Sequence, residues 1–390
     1  MNTKNLVHLI NSSGYKIVLA ITGGGTEAIG ELLRYGGGSA TLLEAIVPYS
    51  QQAVDAFTGK KPEKYNSVRT ARAMAVAAFQ RARTLQQEQK EVGNVLGIGA
   101  TCALAKFNER KERQHELHIA IQSLQNTTTY SIHFLDERDR ESEESLACRL
   151  IINALAIACK VDIEITNNTG LSSRESPQIR SAQVTEAISN MLLDKGNDPD
   201  LIPKYFRLKE KDKDISHSHK VILSGSFDPC HRKHIEMARI ASEKYGVPVH
   251  FEISITNVDK PPMDYISLED RISSIQECYD PEFMGDVFVT NTPLFAQKAN
   301  IFPESTFILG ADTMQRLFNV KYYRPQDTTE SLYRHFKNKK IDFLVYSRKG
   351  AEIDISPEVR DIITIVPENE YIDDGISSTQ IRIEQQHKHS

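Results

Sequence analysis

The sequence of 390 residues predicts an α/β protein built from two domains, and three observations lead to this prediction. Short β-branched and aliphatic runs alternate with helical patterns in both halves of the chain. In each half, one such run passes through a glycine-containing turn directly into a helix, at residues 16–33 and at 221–245. The charge-dense segment 204–220 predicts an exposed linker between the halves. The expected division is a first domain at 1–165, a helix and linker at 166–218, and a second domain at 219–390.

The first half shows the order strand, helix, strand, strand, helix, which is typical of an α/β domain. Its opening strand ends in a turn at residues 22–26 (TGGGT), and a second glycine cluster follows at 36–38. Residues 67–90 are rich in alanine and predict a long helix, while residues 141–159 predict a strongly amphipathic one. The other expected strands lie at 95–106, where a small-residue loop ends the segment, and at 115–123 and 128–135.

The region that precedes the second half contains a predicted helix and two histidines. Residues 178–193 (QIRSAQVTEAISNMLL) predict the helix. His217 and His219 alternate with serines in the linker. A metal site there would need further ligands, so solvent-exposed histidines are the favoured interpretation.

Residues 221–234 (VILSGSFDPCHRKH) combine an apolar strand, a small-residue turn and two histidines at the start of a helix. A helix N-terminus has unpaired backbone N–H groups and a partial positive charge, and both favour phosphate. Gly225 and Ser226 would let a ligand approach the main chain closely. His231 and His234 are three residues apart and should share one face of the first helical turn. This stretch therefore predicts a polyphosphate site. Later apolar runs at 249–255, 288–291, 306–310 and 341–350 complete the pattern of a parallel sheet.

The same stretch resembles the signature of the nucleotidylyltransferase superfamily, in which a glycine-rich strand end precedes Phe-Asp-Pro and two histidines. Gly310-Ala311-Asp312 resembles the Gly-Ala-Asp of the adenylyltransferases that act on nicotinamide or nicotinate mononucleotide. Residues 376–382 (ISSTQIR) resemble the family's Ile-Ser-Ser-Thr-x-Ile-Arg motif. The resemblance covers residues 219–384 and implies a Rossmann-like fold. It implies catalytic roles for His231, His234 and Arg382, and nucleotide contacts from Gly225, Ser226, Phe227, Asp228, Gly310, Asp312, Ser377, Ser378 and Thr379.

Four further positions are interpreted from this resemblance. Asn257 and Lys260 are candidates for contacts to the acceptor nucleotide or the triphosphate, with an ordinary turn before Pro261 as the alternative. Arg271 falls where the family keeps an arginine, although a surface position is the alternative. Lys233 departs from the family, which has glycine before the second histidine. Its ammonium group either reaches a phosphate or obstructs the site.

The implied reaction joins ATP and nicotinamide or nicotinate mononucleotide to give the dinucleotide and pyrophosphate. Mg²⁺ is expected to bridge phosphate oxygens while keeping most of its waters, so no residue is assigned as a metal ligand. Asp228 is the nearest carboxylate, but an Asp-Pro turn can equally serve as a cap. Two alternatives remain: a nucleotidylyltransferase for another phosphorylated acceptor, and a non-catalytic nucleotide-binding or scaffold protein.

Residues 5–160 resemble, more distantly, the CinA C-terminal family, whose members deamidate nicotinamide mononucleotide. The resemblance rests on the turns at 22–24 and 37–39, Tyr49-Ser50, a later glycine-rich strand end at 97–100 and the charged segment 136–140. Ser39 stands at the family's nucleophile position, but Val54 replaces the expected lysine. A serine hydroxyl needs a nearby base or cation to become a good nucleophile. We therefore expect this domain to have lost amidase activity, to mediate homo-oligomerisation and to bind a phosphate or nucleotide.

Bulk composition excludes several classes of protein. The formal net charge of −5 gives no general attraction to nucleic acid or anionic membranes. No apolar run approaches the roughly 18 residues that span a bilayer. The five cysteines are scattered and lack CxxC spacing, which argues for a reducing compartment and against a disulfide framework. The expected protein is cytoplasmic and acts on small nucleotides.

Overall fold

The computed structural model describes residues 1–88, 94–106, 114–191, 205–207, 219–256, 262–323, 325–347, 357–372 and 374–388. The chain divides into two compact units. The first is Met1–Glu186 with Lys260–Ile266, and the second is Ala187–Asp259 with Ser267–Ser390. Each unit is built on its own sheet with helices packed against it, so the predicted α/β class is confirmed.

The first unit has a mixed sheet in the order β2-β1-β3-β4-β5-β6. Its elements are α1 (Thr3–Asn11), β1 (Tyr15–Thr22), α2 (Glu27–Arg34), β2 (Leu42–Ile46), α3 (Gln51–Thr58), α4 (Val68–Glu88), β3 (Asn94–Ala103), β4 (His115–Gln122), β5 (Asn126–Phe134), α5 (Arg140–Ala158) and β6 (Gln178–Gln183), with α6 (Glu186–Met191) following. Strand β1 is parallel to β2 and β3, whereas the pairs from β3 to β6 are antiparallel.

Helix α4 approaches strand β3 unusually closely. A Cβ atom on Gly97 would lie 2.1 Å from the backbone nitrogen of Phe79, and one on Gly99 would lie 2.2 Å from the carbonyl oxygen of Ala71. The two glycines therefore allow the alanine-rich helix to pack directly on the strand backbone. The prediction that these glycines lie at a strand end is wrong, because β3 continues to Ala103.

Two other predictions in this unit need correction. The helix expected at 178–193 begins only at Glu186, since Gln178–Gln183 form a strand that pairs antiparallel with β5. Pairing with a sheet edge outweighs the weak helical preference of that short segment. Helix α5 is not amphipathic over its second half, because residues 146–156 are almost all buried in the core.

The second unit has a sheet in the order β13-β12-β11-β8-β9-β10-β7. Its elements are β7 (Tyr205–Arg207), β8 (Lys220–Ser224), α7 (Arg232–Tyr245), β9 (Val249–Ser254), α8 (Tyr265–Glu277), β10 (Met284–Thr290), α9 (Phe295–Ile301), β11 (Ser305–Gly310), α10 (Ala311–Leu317), α11 (Thr329–Asn338), β12 (Asp342–Tyr346), β13 (Ile363–Val366) and α12 (Ser378–Lys388). Strand β7 comes from the segment expected to be a linker and pairs antiparallel with β10.

The other strands of this sheet are parallel, and their order is that of a doubly wound Rossmann-like fold. From β8 the chain winds outward through β9 and β10, then returns to β11 on the other side of β8 and continues to β12 and β13. The winding direction thus reverses between β8 and β11, where Leu223 pairs with Ile308. In open α/β sheets, ligands bind beyond the carboxyl ends of the strands at such a reversal. Gly225 and Gly310 lie at these two strand ends.

None of the helices in the described part of the chain is long and apolar enough to cross a membrane.

Candidate functional site

The turn after β8 is shaped by the packing of Phe227. This side chain is fully buried, with its ring centroid 5.3 Å from that of Phe251 and 5.0 Å from that of His234. Its backbone has a φ of 45°, in the left-handed region. A Cβ atom on Gly225 would lie 2.8 Å from Cζ of Phe227, so the turn requires glycine there. Ser226, between them, is exposed at the strand end.

His231 and His234 lie together at the start of α7, as the sequence predicts. The backbone N–H of His231 donates to Nδ1 of His234 over 3.2 Å, and the two rings stack with centroids 3.8 Å apart. Because Nδ1 of His234 accepts this bond, the proton of the neutral ring is on Nε2. Nδ1 of His231 is buried and makes no hydrogen bond within the described structure. Both imidazoles thus keep hydrogen-bonding capacity for a ligand.

The electrostatics of this pair favour neutral rings. Burial lowers the pKa of His234 to about 3, with a further contribution from the charge of His231. Burial also lowers the pKa of His231. At physiological pH the two rings therefore act as hydrogen-bonding groups, and positive charge at the site must come from arginine.

The N-terminus of α12 supplies that charge and lies against the same turn. Ser377 caps the helix by accepting the backbone N–H of Gln380 at 3.2 Å. The hydroxyl of Ser378 donates to the carbonyl oxygen of Pro229 at 3.0 Å. Arg382 donates to the carbonyl oxygen of Asp228 and to the hydroxyl of Thr379. The two motifs at opposite ends of this unit's sequence thus form one site.

Asp228 lies between two arginines. Its Oδ2 is 3.4 Å from Nη2 of Arg271 and 3.5 Å from Nη1 of Arg382. Arg271 is therefore part of the site and is not the surface residue of the alternative interpretation. Since the carboxylate is already paired with two cations, it is poorly placed to bind a divalent metal. Among the residues that the structure describes, no group of three or more His, Cys, Asp or Glu side chains is arranged to hold a metal ion.

Ser274 supports the same turn and was missed by the sequence analysis. Its Oγ accepts the backbone N–H of Cys230 at 2.9 Å and lies 3.2 Å from the carbonyl oxygen of Phe227. The available signal was its position three residues after Arg271, on the same face of α8. Burial raises the pKa of the Cys230 thiol to about 12, so this cysteine stays protonated and has a structural role.

The predicted acceptor residues are only partly described. Gly310 precedes α10, and a Cβ atom added to it would meet open space. Asp312 is exposed in the first turn of that helix. Asn257 and Lys260 lie outside the described residues. A side chain at position 310 would therefore meet no atom of the described residues within 4 Å of its Cβ.

The contacts of Lys233 match neither of its two predicted roles, which were to reach a phosphate or to obstruct the site. Its side chain is 10% exposed, and Nζ donates to Oε2 of Glu236 at 2.7 Å and to the carbonyl oxygen of Ile372. The ammonium group also lies 4.9 Å from the centroid of the Tyr371 ring. The side chain thus binds the segment that leads to α12.

The predicted site of the first unit is occupied by its own side chains. Oε1 of Glu144, on α5, accepts from the hydroxyl of Thr26 at 3.2 Å and from the backbone N–H of Glu27 at 3.3 Å. A carboxylate therefore fills the N-terminus of α2, where a phosphate would bind. Ser39 is exposed in a short 3₁₀ turn, and Val54 is buried in α3.

Part of the second unit's sequence matches a known family model. Residues 222–384 match the family model described as cytidylyltransferase-like. The match runs from β8 to α12 and includes residues 225–234 and 376–382, so this part of the predicted resemblance is confirmed. No curated protein is significantly similar in sequence to the chain.

Several solved structures have low similarity to parts of the chain. The competence/damage inducible protein CihA from Agrobacterium tumefaciens is 18% identical, with a TM-score of 0.33, over 41% of this chain and 96% of that one. A competence-damaged protein (CinA) superfamily protein from Escherichia coli is 14% identical, with a TM-score of 0.29, over 41% and 89% of the two chains. Plasmodium falciparum nicotinic acid mononucleotide adenylyltransferase, complexed with NaAD, is 17% identical, with a TM-score of 0.28, over 43% and 83%.

Proposed function

We propose that the chain is an adenylyltransferase that joins ATP to nicotinamide or nicotinate mononucleotide and releases pyrophosphate. The observation that carries this proposal is the convergence of two helix N-termini, those of α7 and α12, on residues 228–229 at the sheet's reversal point. Two such termini with an arginine suit a polyphosphate chain. The family match over 222–384 supports nucleotidyl transfer as the reaction class.

The proposed step needs positioning and charge stabilisation more than covalent help from the protein. A phosphate oxygen of the acceptor attacks the α-phosphorus of ATP, and the bond from that phosphorus to the bridging oxygen breaks. The electron pair leaves with pyrophosphate. Neutral His231 and His234 donate hydrogen bonds near the α-phosphate. Arg382, with Ser377, Ser378 and Thr379, holds the departing pyrophosphate.

In this proposal Mg²⁺ binds to the substrate and not to the protein. The carboxylate of Asp228 is engaged by Arg271 and Arg382. We therefore assign no protein ligand to the metal, which would be held by phosphate oxygens and water.

The test uses the full-length protein with ATP, Mg²⁺ and either mononucleotide, and follows pyrophosphate and dinucleotide formation. We expect turnover with at least one acceptor and loss of turnover in His231→Ala. Arg239→Ala, which removes an exposed ion pair with Glu243 on α7, is the matched control. Turnover with phosphopantetheine or with a CTP-dependent acceptor, and none with either mononucleotide, would replace the acceptor and keep the reaction class.

A second candidate function is non-catalytic nucleotide binding. The observation that favours it is that Arg382 already donates to the backbone of Asp228, so a phosphate must displace that contact. Calorimetry separates the two candidates, because ATP binding without product over hours identifies a sensor or scaffold.

We further propose a cytoplasmic protein that self-associates through its first unit. Four of its five cysteines are buried and all are free thiols, which suits a reducing compartment. Sedimentation of the full chain tests the self-association, and a monomer in solution would refute it.

A further inference from the structure

The second residue of α7 is an unusual place for a lysine. The N-terminal end of a helix carries a partial positive charge, so Lys233 is unfavourable there unless something offsets it. The side chain is nevertheless buried, and its ammonium group is satisfied by Glu236 and by the carbonyl oxygen of Ile372. Helix stability therefore does not explain this lysine, whereas its contacts with Tyr371 and Ile372 do.

Asp374 connects the same helical turn to the second phosphate-binding motif. Its Oδ2 pairs with Arg232 and lies 4.0 Å from Nζ of Lys233, while Oδ1 accepts the backbone N–H of Ile376 at 3.3 Å. Ile376 is adjacent to Ser377, which caps α12. One carboxylate thus joins the first turn of α7 to the start of α12.

Aromatic packing also holds Tyr371 in place. Tyr371 is 6% exposed, and its ring lies edge-on to that of Tyr346 with centroids 4.9 Å apart. The hydroxyl of Tyr346 donates to the carbonyl oxygen of Met237 on α7 at 2.7 Å. The ammonium group of Lys233 contacts the same Tyr371 ring through a cation–π interaction. Tyr371, Ile372 and Asp374 are therefore held against α7 ahead of α12.

We propose that Lys233 and Asp374 are positioning residues that tie Tyr371, Ile372 and residue 374 itself to α7 and so place Arg382 and the α12 N-terminus for the nucleotide. This inference rests on the proposed function, since it assigns α12 to the triphosphate. A glycine at position 233 has no side chain with which to make these contacts. The lysine that departs from the family pattern is thereby part of how this chain builds its phosphate site.

The test compares Lys233→Met, Lys233→Arg and Asp374→Asn with the control Arg239→Met, which alters an exposed cation on the same helix. Methionine keeps the apolar stem against Tyr371 and removes the ammonium group. We expect Lys233→Met and Asp374→Asn to raise the KM for ATP about tenfold, through loss of preorganisation, with little change in the acceptor KM. Lys233→Arg keeps the positive charge, so its KM for ATP should rise less than that of Lys233→Met.

Amide hydrogen exchange gives a readout that needs no turnover. Exchange at residues 376–382 should accelerate in Lys233→Met and Asp374→Asn, and should match wild type in Arg239→Met. If exchange there and the KM for ATP are the same in all variants as in the control, the inference is wrong. An inactive wild-type protein would refute the proposed function, and the exchange comparison would still decide whether these residues hold α12. If Lys233→Met does not fold, Asp374→Asn, whose carboxylate is partly exposed, decides the question alone.

Discussion

The imidazole ring of His234 stacks on that of His231 at 3.8 Å and accepts the backbone N–H of His231. One histidine therefore fixes the tautomer of the other. The arrangement places a donor, Nε2–H, on the ring that is buried against Phe227. In the proposed site, the two neutral rings would donate hydrogen bonds to the polyphosphate, and Arg382 and Arg271 would supply the formal charge.

Replacing His231 by alanine should remove a ligand contact with little effect on folding. The ring is partly exposed, and its Nδ1 has no hydrogen-bond partner in the described structure. We expect the rate of adenylyl transfer to fall on the order of 10²-fold, because a donor at the reacting phosphate is lost. The free energy of unfolding should change by about 1 kcal/mol or less. Steady-state kinetics and urea denaturation measure the two effects, and a largely unfolded variant would identify His231 as a structural residue.

The pH dependence of stability should report the burial of His234. Its pKa is lowered from 6.5 to about 3 in the folded protein, so between these values the unfolded chain binds a proton that the folded chain does not. Stability is therefore lost as the pH falls through this window. Between about pH 7 and about pH 5, wild type should lose roughly 2 kcal/mol more than His234→Asn. Urea denaturation at both pH values measures this difference, and equal losses would contradict the assigned burial.

Two glycines at neighbouring strand ends should respond differently to alanine. Gly225→Ala places a methyl group 2.8 Å from the buried Phe227 ring and should cost about 1–3 kcal/mol by overpacking. Gly310→Ala meets open space at a φ of −82°, so its stability should stay within about 0.5 kcal/mol of wild type. If the acceptor lies beyond β11, Gly310→Ala should still raise the acceptor KM. Thermal unfolding and kinetics give both readouts, and an unchanged KM would remove Gly310 from the acceptor site.

The first unit should not release ammonia from nicotinamide mononucleotide. Ser39 is exposed, the expected lysine is replaced by the buried Val54, and the carboxylate of Glu144 fills the N-terminus of α2. An unactivated hydroxyl is a poor nucleophile at neutral pH. The occupied helix terminus also argues against the nucleotide binding expected there. A coupled ammonia assay with wild type and Ser39→Ala should give equal background rates, and release that Ser39→Ala abolishes would make the protein bifunctional.

The local features of the candidate site could be predicted from the sequence because they depend on near neighbours. The strand, the small-residue turn and the two histidines follow one another within residues 221–234. The hydrogen bond from His231 to His234 spans only three positions. The cap by Ser377 likewise spans three residues. Hydrophobic periodicity and capping are short-range properties, so one stretch of sequence is sufficient to indicate them.

The sequence by itself thus determined the two α/β domains and the motifs at the strand ends, whereas only the tertiary structure decided what those motifs contact. Ser378 reaches Pro229 across 149 residues, and Lys233 reaches Ile372 across 139. Residues 178–183 form a strand because they pair with the edge of β5. The turn after β1 is filled because Glu144 reaches it from α5. Contacts of this kind depend on which distant surfaces the sheet brings together. That choice is made by burial and pairing over the whole chain, and no local pattern encodes it.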